Sequence, residues 1–409
     1  MNLIKLKEIE ITDMTCVHFK YEAEGAWASC FSPLRETFIK YDTDISGVPL
    51  SVLAVSFVCN VLPAVWLCDA VLEVESLDSD FLDHAEQIKK GFEKMYPMLS
   101  FKGSIKTAKE KNEPLKRDGG SACFFSGGVD AHTSFFKHID EKPALVTIWG
   151  SDIKLSDTEG WGSVWSYTSE FAKTYGVDCF SVESDFRSVL LEGKLDEVVA
   201  ASKDRWWHGF QNSIAIISHA AALAYLHGWK DLYLASSFSE DIEGEFTGSS
   251  VPSIDDNVCF CDCKTCHDGY ELNRQQKLEY LVQTQKKMQL RVCWESSGGK
   301  NCSSCEKCYR TILGLVSEGV DPNDYGFVWD QASIEKCRKD FARKIYIYEY
   351  DYHPIQNRMI QNSNLIDGID RYKWFTELDL SSVNGRAIKK LKNAPQNIRS
   401  KISRKIKGT

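Results

Sequence analysis

Between residues 122 and 317, short apolar runs alternate with segments of helical character, and this alternation limits the fold more than any other feature of the chain. Residues 122–125, Ala144–Trp149, residues 178–182, 232–235 and 290–293 read as strands. Helices are expected directly after the first strand, near residues 164–174, over 212–226, around 275–282 and over Glu306–Ser317. Strands separated by helices build right-handed βαβ units on a parallel sheet. Most of the strand runs are continuously apolar, as strands covered on both faces should be. The expected fold class is α/β with a doubly wound parallel sheet.

The flanks differ. In the first 117 residues, Ile4, Leu6, Ile9 and Ile11 are interleaved with charges, which suggests a first strand rather than an export signal. Val71, Leu72 and Val74 are strand-like, and Phe81, Ile88, Phe92 and Met95 have helical spacing. Residues 48–74 form the most apolar stretch, but Asn60, Pro63 and Asp69 interrupt it. It reads as buried helix and strand, and no transmembrane segment is expected. The charged stretch 106–118, ending in Gly119-Gly120, is the expected linker. The 409 residues are long enough for two or three domains. We expect an N-terminal accessory α+β domain at 1–117, the main domain at 118–328, a C-terminal extension at 329–384 and a basic tail at 385–409.

The net charge of −9 is unevenly spread: the tail carries nine Lys or Arg and no acid, leaving −18 on the rest. So acidic a body is unsuited to wrapping bulk nucleic acid. In the tail, Ile398, Ile402 and Ile406 recur among basic residues. This is the pattern of a basic amphipathic helix facing an anionic surface, RNA or an acidic partner; a disordered solubilising end is the other reading.

The first strand of the alternation leads into Phe124-Phe125-Ser126-Gly127-Gly128-Val129-Asp130, which reads as apolar strand, hydroxyl, two glycines and a helix start. Phosphates bind where a strand gives way to a helix, because the unpaired N–H groups of the first turn and the helix dipole both favour an anion. Glycine lets the backbone approach an oxyanion with no Cβ in the way. Neither a Walker-type loop nor a dinucleotide glycine fingerprint occurs. Gly-Gly alone is equally a plain strand-to-helix turn; the full Ser-Gly-Gly-x-Asp heading an α/β domain favours a nucleotide.

Eight of the fifteen cysteines fall in two groups of four between residues 259 and 308, which favours metal ligation in a reducing cytoplasm. Cys293, Cys302, Cys305 and Cys308 have the spacing C-x8-C-x2-C-x2-C. Four thiolates make zinc the default, with an iron–sulfur cluster as the alternative. Cys259, Cys261, Cys263 and Cys266, beside His267, form either a second metal site or a cysteine-rich loop, and both readings stay open here.

The Ser126–Gly127–Gly128–Val129–Asp130 loop resembles that of the PP-loop ATP pyrophosphatases, with their adenine nucleotide alpha hydrolase-like fold. Joined to the second cysteine group, residues 120–320 are similar to the QueC family of 7-cyano-7-deazaguanine synthases, whose C-terminal part binds zinc. QueC-like proteins with added domains also resemble components of bacterial antiphage systems. The resemblance implies ATP, Mg²⁺ and Zn²⁺ as cofactors. It implies that Phe124, Phe125, Ser126, Gly127, Gly128, Val129, Asp130 and Thr133 hold the nucleotide, with Ser126 and Asp130 in catalytic roles. The activity implied is adenylation of a heterocyclic, 7-deazaguanine-type carboxylate, then transfer to ammonia or the amine of a protein partner, giving an amide or nitrile. Trp207, His208, Ser236 and Asp241 become candidate substrate contacts, with Trp206 and Trp207 suited to stacking. Two departures stand out. Ala131 occupies the position where the family usually has Ser, so that hydroxyl would have to come from Thr133 or Ser134, and Ser303 replaces a frequent glycine. A PP-loop tRNA sulfur transferase using thiols of residues 259–266, or a non-catalytic nucleotide-binding scaffold, are the competing readings.

Overall fold

The alternation seen from residue 122 onward forms part of a larger sheet that begins at residue 2. The computed structural model describes residues 2–117, 119–293, 295, 298–342 and 349–380; the basic tail at 385–409 and Trp294 lie outside them. The chain divides into two units, Met1–Asn273 with Ser297–Gly299, and Arg274–Ser296 with Lys300–Thr409.

In the first unit the chain runs through β1 (Asn2–Thr12), β2 (Cys16–Glu24), β3 (Glu36–Tyr41), α1 (Leu50–Leu67), β4 (Ala70–Asp78), α2 (Ser79–Met95) and β5 (Ser104–Glu110). It continues with β6 (Ser121–Phe124), α3 (Val129–Lys137), β7 (Ala144–Trp149), α4 (Thr158–Tyr175), β8 (Cys179–Ser184), α5 (Glu192–Val198), α6 (Asn212–Ser218), α7 (Ala221–His227), β9 (Asp231–Ala235), α8 (Pro252–Asp255), β10 (Cys259–Phe260) and β11 (Cys263–Asp268). These strands form one eleven-stranded sheet in the order β10-β11-β9-β6-β7-β8-β3-β2-β1-β4-β5. Neighbours are parallel at β11–β9, β9–β6, β6–β7, β7–β8, β1–β4 and β4–β5, so the sheet is mostly parallel. From β6 the chain winds outward to β7 and β8 on one side and to β9 and β11 on the other, the strand order of a doubly wound sheet.

The boundary expected at residue 117 falls inside this unit. Antiparallel pairing of β3 with β8, with Tyr41 opposite Val182 and Ile39 opposite Ser184, joins the N-terminal strands to the later ones. The first part of the expected linker, residues 106–110, belongs to β5, an edge strand. Its charges are held by partners, Lys106 reaching Glu73 at 2.7 Å and Lys109 pairing with Asp83, and charged edges resist further strand pairing. α1 is long and apolar enough to cross a membrane, yet 89% of it is buried inside the protein. Its one buried amide, Asn60, donates to the Phe186 carbonyl (2.9 Å) and accepts from Gln211 (2.6 Å), which satisfies a polar group that would otherwise be costly in the core.

The long helix expected over 212–226 is interrupted after Ser218. The Ser218 hydroxyl (2.8 Å) and the His219 Nδ1 (2.6 Å) both donate to the Ala215 carbonyl, competing with the backbone for the acceptor that a continuing helix needs. A π-helical turn, Trp207–Gln211, precedes it.

The second unit contains α9 (Arg274–Gln283), α10 (Glu306–Ser317), α11 (Gln331–Ala342), α12 (Glu349–Gln361) and α13 (Lys373–Thr376). Phe341, Tyr352 and Phe375 pack edge to face in its core. The boundary expected at 328 lies within this unit. The strand expected at 290–293 is absent, because the Asn301 amide takes the place of a neighbouring strand: it donates to the Leu290 carbonyl (2.6 Å) and accepts from the Val292 N–H (3.0 Å).

Candidate nucleotide loop and metal centre

β6 delivers the chain to the loop at the point where the strand order reverses. In open α/β sheets that position, outside the carboxyl ends of the strands, is where ligands bind. Strand pairing extends one residue beyond β6: the Phe125 N–H donates to the Val146 carbonyl (2.8 Å) and the Thr147 hydroxyl donates to the Phe125 carbonyl (2.7 Å). Phe125 is buried against Phe171 and His132. The backbone then turns through Gly127 at φ +73°, a conformation that favours glycine. Gly128 caps α3, Ser126 is exposed, and Asp130 lies half-buried in the first helical turn.

His132, which carries no motif of its own, fixes the turn. Its Nδ1 lies 2.8 Å from the Gly128 carbonyl and its Nε2 2.8 Å from the Tyr167 hydroxyl. Burial pushes its pKa down to about 4, so the ring is neutral, with Nδ1 donating and Nε2 accepting from Tyr167. The spacing from Gly128 to His132, one helical turn, is the signal in the sequence that points to it.

The other α3 hydroxyls face elsewhere. Thr133 donates to the Val129 carbonyl (2.9 Å) and Ser134 to Asp268 (2.5 Å). Neither supplies the hydroxyl that Ala131 lacks, and Ala131 is itself buried. Asp268, at the end of β11, also accepts from Lys137 (3.0 Å) and contacts His138 (3.1 Å). Burial raises the Asp268 pKa, but the bonds from His138, Ser134 and Lys137 outweigh it and hold the carboxyl well below its usual range. Burial likewise lowers His138, and its contacts with Asp268 and Glu141 outweigh that and raise it. This clamp anchors α3 to the sheet.

The four expected substrate contacts each have partners within the protein. Trp207 lies beneath the Arg187 guanidinium, 3.9 Å from ring centroid to Cζ, whereas Trp206 is wholly buried and donates to Gln211 (2.9 Å). His208 is exposed and bonded to Asp204 (2.8 Å). Asp241 is exposed and accepts from Ser239. Ser236 is sealed from solvent, donating to the Phe238 carbonyl (2.7 Å), with the His267 Nε2 at 2.8 Å and the Asp255 carboxylate 2.7 Å from the His267 Nδ1. This order imitates a nucleophilic triad, but a buried hydroxyl already donating to a carbonyl serves to tie the ends of β9 and β11 together.

In the second unit, the sulfurs of Cys293, Cys302, Cys305 and Cys308 all lie within 4.8 Å of one another. Cys293 and Cys305 are 3.8 Å apart, and Cys302 and Cys308 are 4.0 Å apart. Tetrahedral zinc with bonds of about 2.3 Å requires sulfur separations of about 3.8 Å, so the donors and their spacing fit this ion. The N–H groups of Ser304 (3.4 Å) and Cys305 (3.2 Å) donate to the Cys302 sulfur, and that of Cys302 donates to Cys293 (3.4 Å), which favours thiolates. Ser303 has φ +55°, the conformation that explains why glycine suits this position, and its hydroxyl accepts from the Val328 N–H (2.9 Å).

The other cysteine group is a hairpin. Cys261 and Asp262, both at positive φ, turn β10 into β11. Cys261 and Cys263 are buried, and burial, then neighbouring acids, raises both thiols; the same causes push Cys266 up to about 11. Among the described residues, only the Cys293–Cys302–Cys305–Cys308 group is arranged to hold a metal. All fifteen cysteines are free of disulfides. Comparison with protein-family models, curated proteins and solved structures finds no match.

Proposed function

We propose that this chain is an ATP-consuming enzyme of the PP-loop type that adenylates a heterocyclic carboxylate and passes the acyl group to a nitrogen nucleophile. The observation that carries this reading is the Ser126-Gly127-Gly128-Val129-Asp130 turn, placed at the strand-order reversal and opening into α3. A carboxylate oxygen attacks the α-phosphorus of ATP, the bond to the bridging oxygen breaks, and pyrophosphate leaves. Backbone N–H groups of the loop and the start of α3 hold the departing charge and orient it in line, a role for fixed dipoles that needs no side-chain nucleophile. His132 keeps the loop in this shape by holding the Gly128 carbonyl. The nitrogen then attacks the acyl carbon, AMP departs and the nitrogen loses a proton. ATP would enter as its magnesium complex, and the four-cysteine group would hold zinc in a structural role. The buried, hard-to-ionise hairpin thiols speak against sulfur transfer, which needs accessible thiolates.

The test is AMP release from ATP with a panel of heterocyclic acids. Acid-dependent AMP is expected from the wild type and should fall by about 100-fold or more in Gly127→Val, which strains the φ +73° turn whose N–H groups hold the leaving pyrophosphate. Absence of acid-dependent AMP across the panel contradicts the proposal.

A further inference from the structure

A cavity of about 430 Å³ opens where β7 and β8 end, bordered by Gly150, Ser151, Lys154, Ser184, Asp185 and Arg187. Its shape is built in. Gly150 has φ +110°, and a Cβ there would lie 1.7 Å from the Ser184 carbonyl oxygen, so the two strand exits are pressed together and the space lies beyond them. The loop after Gly150 is pinned twice, by the Gly150 N–H to the Ile153 carbonyl (3.0 Å) and by the Trp149 indole N–H to the Lys154 carbonyl (3.0 Å). Arg187 is immobilised: Nε (3.0 Å) and Nη2 (2.7 Å) donate to Glu192, Nη1 (3.1 Å) donates to the Ser151 carbonyl, and the guanidinium stacks on Trp207. A guanidinium has five N–H donors, so those three bonds leave two for a ligand. Lys154 is exposed at the cavity border. The Asp185 carboxylate is directed at the wall, accepting from the Thr37 hydroxyl (2.6 Å), the Phe38 N–H (2.9 Å) and the Ser188 hydroxyl (3.2 Å).

We propose that this cavity binds an organic acid, with its carboxylate held by Lys154 and Arg187. This rests on the adenylation reading, for which it is the acid subsite. β6 and β7 are adjacent parallel strands, and β7 runs on past the pairing of Phe124 with Val146, so the cavity lies on the order of 10–15 Å from the Ser126 turn at the same end of the sheet. An acid reaching out of the cavity and the triphosphate of ATP can bridge that span together. Arg187 and Lys154 keep the acid ionised and orient it. Trp207 contributes by supporting Arg187, a different role from stacking on the heterocycle itself.

Isothermal titration of the full chain with 7-deazaguanine-7-carboxylate, indole-3-carboxylate, the neutral 7-carboxamide and α,β-methylene-ATP tests this. At least one acid should bind the wild type, the amide about tenfold more weakly or worse. Lys154→Ala and Arg187→Lys should each weaken acid binding by about tenfold, with Lys154→Arg restoring most of it, while leaving the nucleotide analogue within about twofold. Acid binding unaffected by both variants, no acid binding to the wild type, or mutual displacement of acid and nucleotide overturns the proposal. Failure of the nucleotide reading shows separately, as no binding of the analogue.

Discussion

In the hairpin of β10 and β11 four cysteines follow the pleat of a strand pair, whereas in residues 293–308 four cysteines converge on one point. Both groups are dense in sequence, and what separates them is backbone geometry. The register sets Cys259 opposite Lys264, so Cys259 and Cys266 share one face and Cys263 takes the other, while Cys261 lies in the turn and meets Asp78 (3.6 Å) rather than another thiol. In the second group Ser303 turns the chain back at positive φ. Cys305 and Cys308 then fall at the cap and first turn of α10, three residues apart and so on one face. Backbone N–H groups point at the sulfurs of Cys293 and Cys302 there, and the four sulfurs lie within 4.8 Å of one another. One group is prepared for a cation; the other is core whose strand carries His267 and Asp268 to their partners.

The largest effect expected is on metal content. Cys308→Ser or Cys305→Ser should take zinc, measured by atomic emission, from about one per chain to near none, and lower the unfolding temperature of the second unit steeply, since structural zinc contributes on the order of 10 kcal/mol. Cys261→Ala and Cys266→Ala should leave zinc at one; loss of metal in either breaks the distinction. Native-state alkylation sharpens it: a chelator should make the thiols of 293, 302, 305 and 308 reactive together, while the buried hairpin thiols stay slow until unfolding. Asp268→Asn should cost about 2–3 kcal/mol in chemical denaturation, because Lys137 and His138 lose their shared anion. The Asp268 pKa is depressed on folding, so its contribution is fully present above about pH 4, where an unfolded aspartate is ionised, and is lost as pH falls through the folded value. The difference between wild type and variant should therefore shrink in acid, and it should also decline as pH rises past about 6.5 through the raised value of His138, whose charged form Asp268 holds. Ser303→Gly should change stability least, within about 1 kcal/mol, because relief at positive φ offsets loss of the bond to Val328.

Much of the α/β core was legible because it is local. Ala144–Trp149 and Glu306–Ser317 match their expected bounds, and β6 and β9 lie within a residue of theirs. Continuous apolar runs and caps specify such elements without reference to distant chain. The junction of β3 with β8 was not legible: it depends on pairing between residues more than 140 positions apart, and no periodicity records a partner. The break at Ser218 was hidden for a different reason, since side-chain competition for one carbonyl outweighs good helical spacing. At the site, glycine and cysteine spacing revealed the turn and the four-sulfur group. Of the supports, only His132 carries a signal, its one-turn spacing from Gly128; Tyr167 and Asp268 are ordinary residues until the fold brings them to their partners.

The central claim is that the Ser126 turn directs cleavage between the α and β phosphates of ATP. It is tested most directly by resolving the products formed from α-³²P-labelled ATP during turnover with a heterocyclic acid. The account predicts labelled AMP with an equal amount of pyrophosphate; labelled ADP with inorganic phosphate would contradict it.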